Sequence, residues 1–526
     1  MVVVLASFAP TLTNEFVNWD DDLVLTDNQA YRGLSPSHLH WMATTMHAGH
    51  YQPLTWLSYA VDHALFGMDP RGYHLTNLVL HVLATLVLWR LLVALLGDRG
   101  GAATPLVAAA GALFFAIHPL RVESVAWATE RRDVLSGVFW LLALLLYVRA
   151  AEDPHGRGRW LAVGALACSL GAKAWGMTFP VVLLILDAYP LGRLGRDPRM
   201  VLAEKLPFAI LAAAAAGMAW QAQAAVPEMR SLADHGLAAR AAQASYGLVH
   251  YLAATVLPLG LHPAHLLEPA LDPLRPRYLA AMATVTAITL GAVGLRRRAP
   301  WLLATWLAYV VIVAPVLGLA QTGPQLVADR YTYLALLPWT ALLTAGLLGL
   351  VAPPSGPRLR RTVAALTGAV LMAIATLTAR QTRVWHDSLT LWNHVLRLDP
   401  GNWVAFTNRG FARQADDPEA AIADYTRAIE RNPRYALAFF DRGTARHDRG
   451  DYAGAIADQS TMIALLPNDP RGWNNRGWAR QAQGDWEGAA ADYARALEVA
   501  AADWWGRDLV LRNLATARAR ITANGR

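Results

Sequence analysis

The sequence predicts an all-α protein in two parts, a multi-span bundle of membrane helices followed by a soluble array of repeated helix pairs. Three observations carry this. Apolar residues make up 55% of the chain and charged residues 16%, which is too apolar for one soluble globular protein. Apolar runs near the ~20 residues that a spanning helix needs recur between Tyr73 and Ala379. From His386 onward the composition turns to Asp, Arg, Asn and Trp, and no run there is apolar enough to span.

The elements follow in order. Met1 to Pro10 is apolar but about half the length of a span, so either the start is set late or the first helix is short and tilted. No basic flank or small-residue cleavage pattern marks a signal peptide. Trp19, Asp20, Asp21 and Asp22 then place an acidic cluster beside the membrane. From Pro36 to Asp69, Trp41, Tyr51, Trp56, Tyr59 and Phe66 stand among polar residues at helical spacing, which reads as helices lying in the interface. These helices either roof a site at Asp20 or serve as a passive anchor. Spans are expected near residues 74–97, 104–119, 134–149, 160–172, 175–190, 206–222, 278–295, 300–319, 334–351 and 362–380, which with the first makes about eleven. The stretch from Ala241 to Leu259, followed closely by Pro263 and Pro269, reads as an interfacial or re-entrant helix. A full span there is the alternative, and it would invert everything downstream.

Loop charge sets the expected orientation. Arg99, Arg157, Arg159, Arg193, Arg196, Arg199, Arg296 to Arg298, Arg358, Arg360 and Arg361 lie in short loops that belong on the cytoplasmic side. The amino terminus is then inside and the repeat domain extracytoplasmic. Arginine supplies nearly all the positive charge, a bias of GC-rich bacterial genomes, so the expected location is a bacterial inner membrane. Much of the formal charge of +7 sits in those loops, and nucleic acid is not an expected partner. Cys168 has no second cysteine with which to form a disulfide.

The opposite loops collect Asp20 to Asp22, His50, His118, Arg121, Glu123, Glu130, Arg131, Arg132, Asp133, Lys173, His262, His265, Glu268, Asp329 and Arg330. Cations on the translocated side run against the positive-inside tendency, and an anion is the expected reason. Carboxylates at a bilayer edge are costly to hold and are read as functional. A carboxylate can take the proton from an attacking hydroxyl while arginine and lysine stabilise charge on a departing phosphate. A lipid-linked sugar phosphate has that leaving group at that depth. Asp22 and Asp27 read as solvated or helix-capping residues, and Arg121 and Arg132 as contacts to lipid headgroups. His50, His63, His74 and His81 form no tight ligand cluster, so no metal or other cofactor is expected. His74 and His81, two turns apart, are read as hydrogen-bonded within the bundle.

In the tail, Asn408, Arg409 and Gly410 align with Asp441, Arg442 and Gly443 and with Asn475, Arg476 and Gly477. Ala421 to Tyr425 likewise align with Ala455 to Gln459 and Ala489 to Tyr493. This spacing resembles tetratricopeptide repeats, in which small residues let two antiparallel helices pack closely. Expected are a half repeat over 387–400, repeats over about 402–433, 434–467 and 468–501, and a capping helix over 504–521. The implied role is a concave surface for a protein or peptide, with the Arg and Asn of each unit as the candidate contacts.

Further matches join the two parts. Phe16 to Asp21 with Asp27 and Asn28; Tyr51, Pro53, Leu54 and Thr55; Tyr73, His74, Asn77 and His81; His118, Pro119, Arg121 to Glu123, Trp127, Glu130, Arg131 and Asp133; Lys173, Pro180 and Asp187; and Asp329, Arg330, Tyr331 and Tyr333 occur in one order. In that order and spacing the chain resembles the transmembrane and tetratricopeptide-repeat O-mannosyltransferases. The resemblance implies a GT-C-like membrane domain over residues 1–385, a polyprenyl-phosphate sugar donor, and metal-independent inverting transfer. It makes Asp20 or Asp21 the general base, with Asp20 favoured. Arg131, Lys173 and Arg330 are implied to hold the donor phosphate, and Glu123, His118, Asp329 and Tyr331 to bind substrate. Gln52 stands where relatives often carry arginine, which bears on how the donor is held.

The expected function is transfer of a mannose-like sugar to a hydroxyl of a protein or peptide acceptor, with membrane lipids around the bundle. The alternatives are a lipid-linked glycan ligase or polymerase, and a non-catalytic membrane-anchored repeat scaffold.

Overall fold

The computed structural model describes residues 1–151, 157–224, 231, 234–321, 323–501 and 504–524. Among them, sheet is confined to one antiparallel pair, His265–Leu266 with Gln325–Val327, in which His265 lies opposite Val327. The chain divides into two compact units, Met1–Asp387 and Ser388–Arg526.

In the first unit, four helices are long and apolar enough to cross a membrane: Pro70–Gly100, Arg131–Ala150, Pro276–Gly294 and Pro357–Trp385. Three further pairs pass the same test but bend at a break. These are Ala103–Ala116 with Pro119–Ala126 (59°), Pro198–Glu204 with Leu206–Ala224 (41°), and Asp329–Ala335 with Leu337–Val351 (56°). The described residues thus hold four to seven candidate spans, and the expectation of about eleven is corrected. The reason is length. Val2–Thr13, Ala174–Ala188 and Pro300–Val316 are apolar but too short, because a helix rises only ~1.5 Å per residue against a ~30 Å hydrocarbon core. Leu237–Val256 is a full-length helix, yet it is not among the candidate spans.

The two helices of the first large loop are Pro36–Thr44 and Pro53–Phe66. Their aromatic residues divide by face. Trp56 and Tyr59 join Tyr31, Tyr73 and Trp41 in an aromatic cluster, while Leu57, Val61, Leu65 and Phe66 are exposed along the other side of the second helix.

Every residue from 115 to 137 is buried, although the stretch carries His118, Arg121, Glu123, Glu130, Arg131, Arg132 and Asp133. Buried charge is tolerated only when paired and hydrogen-bonded, and this segment is anchored on several sides. Tyr59 donates to the carbonyls of Ala128 (3.2 Å) and Thr129 (2.9 Å). Asn77 donates to those of Val125 (3.4 Å) and Trp127 (3.2 Å). Trp127 stacks on Trp385 at 5.7 Å, and Thr378 donates to the Ile117 carbonyl at 2.5 Å. The chain's first loop is tied down in turn by Glu15, whose N–H meets the His386 carbonyl at 2.8 Å.

The second unit opens with helix Ser388–Leu398. Three helix pairs follow: Trp403–Arg413 with Pro418–Arg431, Ala436–Asp448 with Tyr452–Leu465, and Pro470–Gln483 with Trp486–Val499. Arg507–Asn524 closes the array. Side-chain caps start most of these helices; Asn402, Asp417, Asp451, Asp469 and Asp485 each accept from a backbone N–H in the first turn. Close packing explains the repeated glycines at two positions in particular. A Cβ at Gly410 would meet Tyr425 Cε1 at 2.7 Å, and one at Gly477 would meet Tyr493 Cε1 at 2.9 Å.

The repeated arginines, expected as contacts to a partner, are also engaged within the array. Arg409 forks onto Asp424 at 2.7 and 2.9 Å, and Arg442 onto Asp458 and Arg476 onto Asp492 at the same distances. Arg413, Arg446 and Arg480 each add a third bond at 2.9 Å. The three aspartates are buried, so these pairs staple one helix of each pair to the other.

Candidate functional site

Asp20 and Asp21 are adjacent in sequence and opposite in environment. Asp21 is buried. One carboxylate oxygen accepts from the Val17 N–H at 2.9 Å, and the other from the Thr129 N–H at 2.9 Å and hydroxyl at 2.6 Å. It pins the first loop to the buried segment. Burial pushes its carboxyl up to about 7, against those three hydrogen bonds. Asp20 has a left-handed backbone, φ 68°, a conformation that only a minority of non-glycine residues adopt. Its residue is exposed. Solvent reaches it, but protein crowds it closely enough that desolvation raises its carboxyl to about 6, opposed by the positive charges of Arg132 and Arg330. A single π-helical turn, Asp22–Thr26, follows. Asp22 caps locally, accepting from the Leu23 N–H at 2.9 Å.

Glu130 organises the cations around Asp20. It accepts from Arg132 Nε (3.1 and 3.2 Å) and a terminal nitrogen (2.9 Å), and from Lys173 Nζ (2.5 Å). Arg330 Nε lies 3.9 Å away. Burial alone would raise the Glu130 carboxyl, but Arg132, Lys173 and Arg330 together hold it well below the usual carboxylate range. Lys173, which ends helix Gly158–Ala172, also reaches Asp133 at 2.5 Å. Arg330 pairs with Glu123 through its guanidinium, and its backbone N–H donates to the same carboxylate at 3.0 Å. Its guanidinium also covers the rings of Tyr331 (4.9 Å) and Trp127 (5.5 Å). Tyr331 meets Trp175 edge-on at 6.4 Å.

Beside Arg132 and Lys173 lies a small cavity of about 50 Å³. His50, Gln52, Arg132 and Lys173 line its polar part, and Leu170, Ala215, Met218 and Ala219 its apolar wall. Burial and the nearby Arg132 and Lys173 hold His50 well below its ordinary value, so it is neutral there. The pocket presents fixed cations beside hydrocarbon, which suits an amphiphile with an anionic head.

Two of the residues expected at the site stand elsewhere. Arg131 is fully buried and engaged by Asn77 (2.8 Å), the Tyr73 carbonyl (2.8 Å), the Ser58 carbonyl (3.3 Å) and Asp62. It holds three helices together, and its neighbour Arg132, expected at lipid headgroups, is the arginine beside Asp20. His118 caps a turn, accepting from the Leu120 N–H at 3.3 Å, with its other nitrogen 3.0 Å from the Thr255 carbonyl. Asp329 sits at the edge of this group, with the charges of Glu123, Arg330 and Arg121 acting on its carboxylate and His265 Nε2 4.0 Å from Oδ1. Glu130 was absent from the expected site residues, although its place directly before Arg131, Arg132 and Asp133 was the available signal. Arg121 is buried, with its guanidinium over Phe115 and Tyr333 and bonded to Thr332 at 2.5 Å. Of the scattered histidines, His74 lies 3.4 Å from the Glu15 carbonyl, and His81 lies 2.9 Å from both Tyr333 Oη and the Ala116 carbonyl.

Fold and site together define a helical membrane protein with a paired cation–carboxylate centre and a tail of helix-pair repeats. Among curated proteins, the chain is similar to the protein O-mannosyl-transferases of the TMTC group. It is 34% identical to "Protein O-mannosyl-transferase TMTC2" of Mus musculus over 203 residues, 36% of this chain and 23% of that protein. It is 32% identical to the Homo sapiens TMTC2 over the same shares. To "Protein O-mannosyl-transferase Tmtc1" of Drosophila melanogaster it is 35% identical over 150 residues, 28% of this chain and 17% of that one. The match thus spans under a quarter of the length of these relatives. No protein-family model matches the chain. Among solved structures, the MamA protein is 19% identical with a TM-score of 0.21, covering 41% of this chain and 93% of that one. The Cut9–Hcn1 tetramer is 13% identical with a TM-score of 0.25, covering 92% and 100%. Such scores say nothing about a shared fold, and the repeats rest on their own pattern and packing.

Proposed function

We propose that this protein is an integral membrane glycosyltransferase of the GT-C type that moves a mannose-like sugar from a polyprenyl phosphate to a hydroxyl of a protein or peptide. The similarity to named protein O-mannosyl-transferases supports the reaction class. The observation that carries the mechanism is the contrast between an open Asp20 and a saturated Asp21, with Arg132, Lys173 and Arg330 gathered on Glu130. Asp20 takes the proton from the acceptor hydroxyl as its oxygen bonds to the anomeric carbon. The carbon–phosphate-oxygen bond breaks on the opposite face, which inverts the anomeric centre. Polyprenyl phosphate leaves with the electron pair, and the cations stabilise its added charge.

The amphiphilic pocket beside Arg132 and Lys173 holds the phosphate at its polar end, with the first isoprene units against Leu170 and Met218. The exposed apolar side of helix Pro53–Phe66 rests in the membrane interface. The reaction faces the extracytoplasmic side, in a bacterial inner membrane, and the repeats bind the acceptor. Purified full-length protein, given polyprenyl-phosphate mannose and serine- and threonine-containing peptides, should yield mannosylated peptide. Arg132→Gln and Lys173→Gln should raise the donor KM at least tenfold. Unchanged donor KM in both variants, or sugar passed only to a saccharide, overturns this reading.

A further inference from the structure

The turn Asp329–Tyr331 is far in sequence from helix Leu237–Val256 and from the short strand His265–Leu266 that follows it. The fold brings one side chain from each to a single point. His250, His265 and Asp329 each offer a potential ligand atom, and the three atoms lie within 4.8 Å of one another. His265 Nε2 stands 4.0 Å from Asp329 Oδ1. We propose that these three residues bind a divalent transition-metal ion.

Three observations point to a ligand. His250 Nε2, His265 Nε2 and Asp329 Oδ1 are buried and have no hydrogen-bond partner among the described residues. Buried polar atoms ordinarily find partners, and each exception calls for an explanation such as an ion. One ion answers for all three atoms at once. Second, the surroundings hold the rings and the carboxylate in place. His262 packs against His265 with ring centroids 3.8 Å apart, and Tyr246 stacks on His250 at 5.8 Å. The His262 backbone N–H bonds to the Asp329 carboxylate. Groups that orient the ligands in this way are a usual part of metal sites. Third, the pairing of His265 with Val327 fixes the strand carrying one ligand two residues before the other.

The donor set names the ion class. Two imidazoles and one carboxylate suit zinc and its first-row neighbours, whereas calcium and magnesium take oxygen ligands. Metal–nitrogen bonds of ~2.0–2.1 Å require the ligand atoms to close by under about 1 Å. Three protein ligands leave a fourth position for water or a substrate oxygen. The ion would also clamp the turn whose next residue, Arg330, pairs with Glu123. None of this depends on the transfer reaction, because the ligands are separate from Asp20, Arg132 and Lys173.

The test uses purified full-length protein in detergent, stripped with a chelator and re-equilibrated with Zn²⁺ or Co²⁺. Elemental analysis should find about one ion per chain, and the Co²⁺ form should show the strong visible bands of a four-coordinate nitrogen–oxygen site. His265→Ala and Asp329→Asn should each lose at least four-fifths of the ion and those bands, while His386→Ala retains both. Should His265→Ala fail to fold, His250→Gln tests the same ligand set, and the wild-type spectrum is read independently of any variant. No retained ion in the wild type, full retention in the ligand variants, or a spectrum of oxygen-only coordination would overturn the proposal.

Discussion

If Asp20 is the base, its ionisation sets the acid limb of the pH–rate profile. With a carboxyl raised to about 6, about nine-tenths is ionised at pH 7 and about one-tenth at pH 5, so kcat/KM should fall roughly tenfold between them. Asp21, raised to about 7, titrates close by, and a limb alone does not distinguish the two. Arg132 does. Its charge lowers Asp20 and is not among the causes acting on Asp21, which are burial, hydrogen bonds from Val17 and Thr129, and Asp20 itself. Arg132→Gln should therefore move the limb upward by on the order of one pH unit, about 1.4 kcal/mol of lost charge stabilisation. Arg132→Lys should leave it nearly in place. The assay is single-turnover transfer at saturating donor across pH 4.5 to 8.5. A limb that stays put in Arg132→Gln, or one centred near the ordinary carboxylate value, would refute the assignment.

Three further outcomes follow from burial and packing. Asp441 fills the position that Asn408 and Asn475 hold in the other repeats, and burial raises its carboxyl to about 7 despite Arg471. A raised folded-state value means that its stabilising form prevails at low pH and is lost as pH climbs through 7. Asp441→Asn should thus stabilise the second unit at pH 8 by ~1–3 kcal/mol with little effect at pH 4, read as a thermal shift of the full chain. Gly410→Ala places a Cβ 2.7 Å from Tyr425, and limited proteolysis of the repeats should show a loss of ~1–3 kcal/mol. Arg131→Met strands the buried Asp62 carboxylate and should cost ~3–5 kcal/mol in detergent stability, whereas the double variant with Asp62→Leu should recover most of it.

How much of this was legible in the sequence depends on the range of the interaction. The repeats were readable because Gly410, Gly443 and Gly477 recur with their neighbours at a fixed period, and helix pairs follow from that period. Their Arg–Asp staples were not read, although the 15- to 16-residue spacing from Arg409 to Asp424 and from Arg442 to Asp458 was present in the alignment. Apolar runs located helices but not spans, since a run such as Pro300–Val316 marks burial as readily as membrane crossing. Within the site, the acidic pair and Lys173 stood out by charge. The division of labour did not. Asp20 and Asp21 differ only in which way a left-handed residue turns the chain, and Arg131 and Arg132 only in helix face, about 100° apart. The grouping of His250, His265 and Asp329 is purely tertiary, with no local spacing to betray it.

The most direct test of the central claim compares Asp20→Asn with wild type in transfer of mannose from polyprenyl-phosphate mannose to peptide, with donor binding measured on the same samples. The account predicts a folded protein that binds donor normally and transfers ~10²–10⁴-fold more slowly, the range of a lost general base. Transfer at the wild-type rate by Asp20→Asn would contradict it.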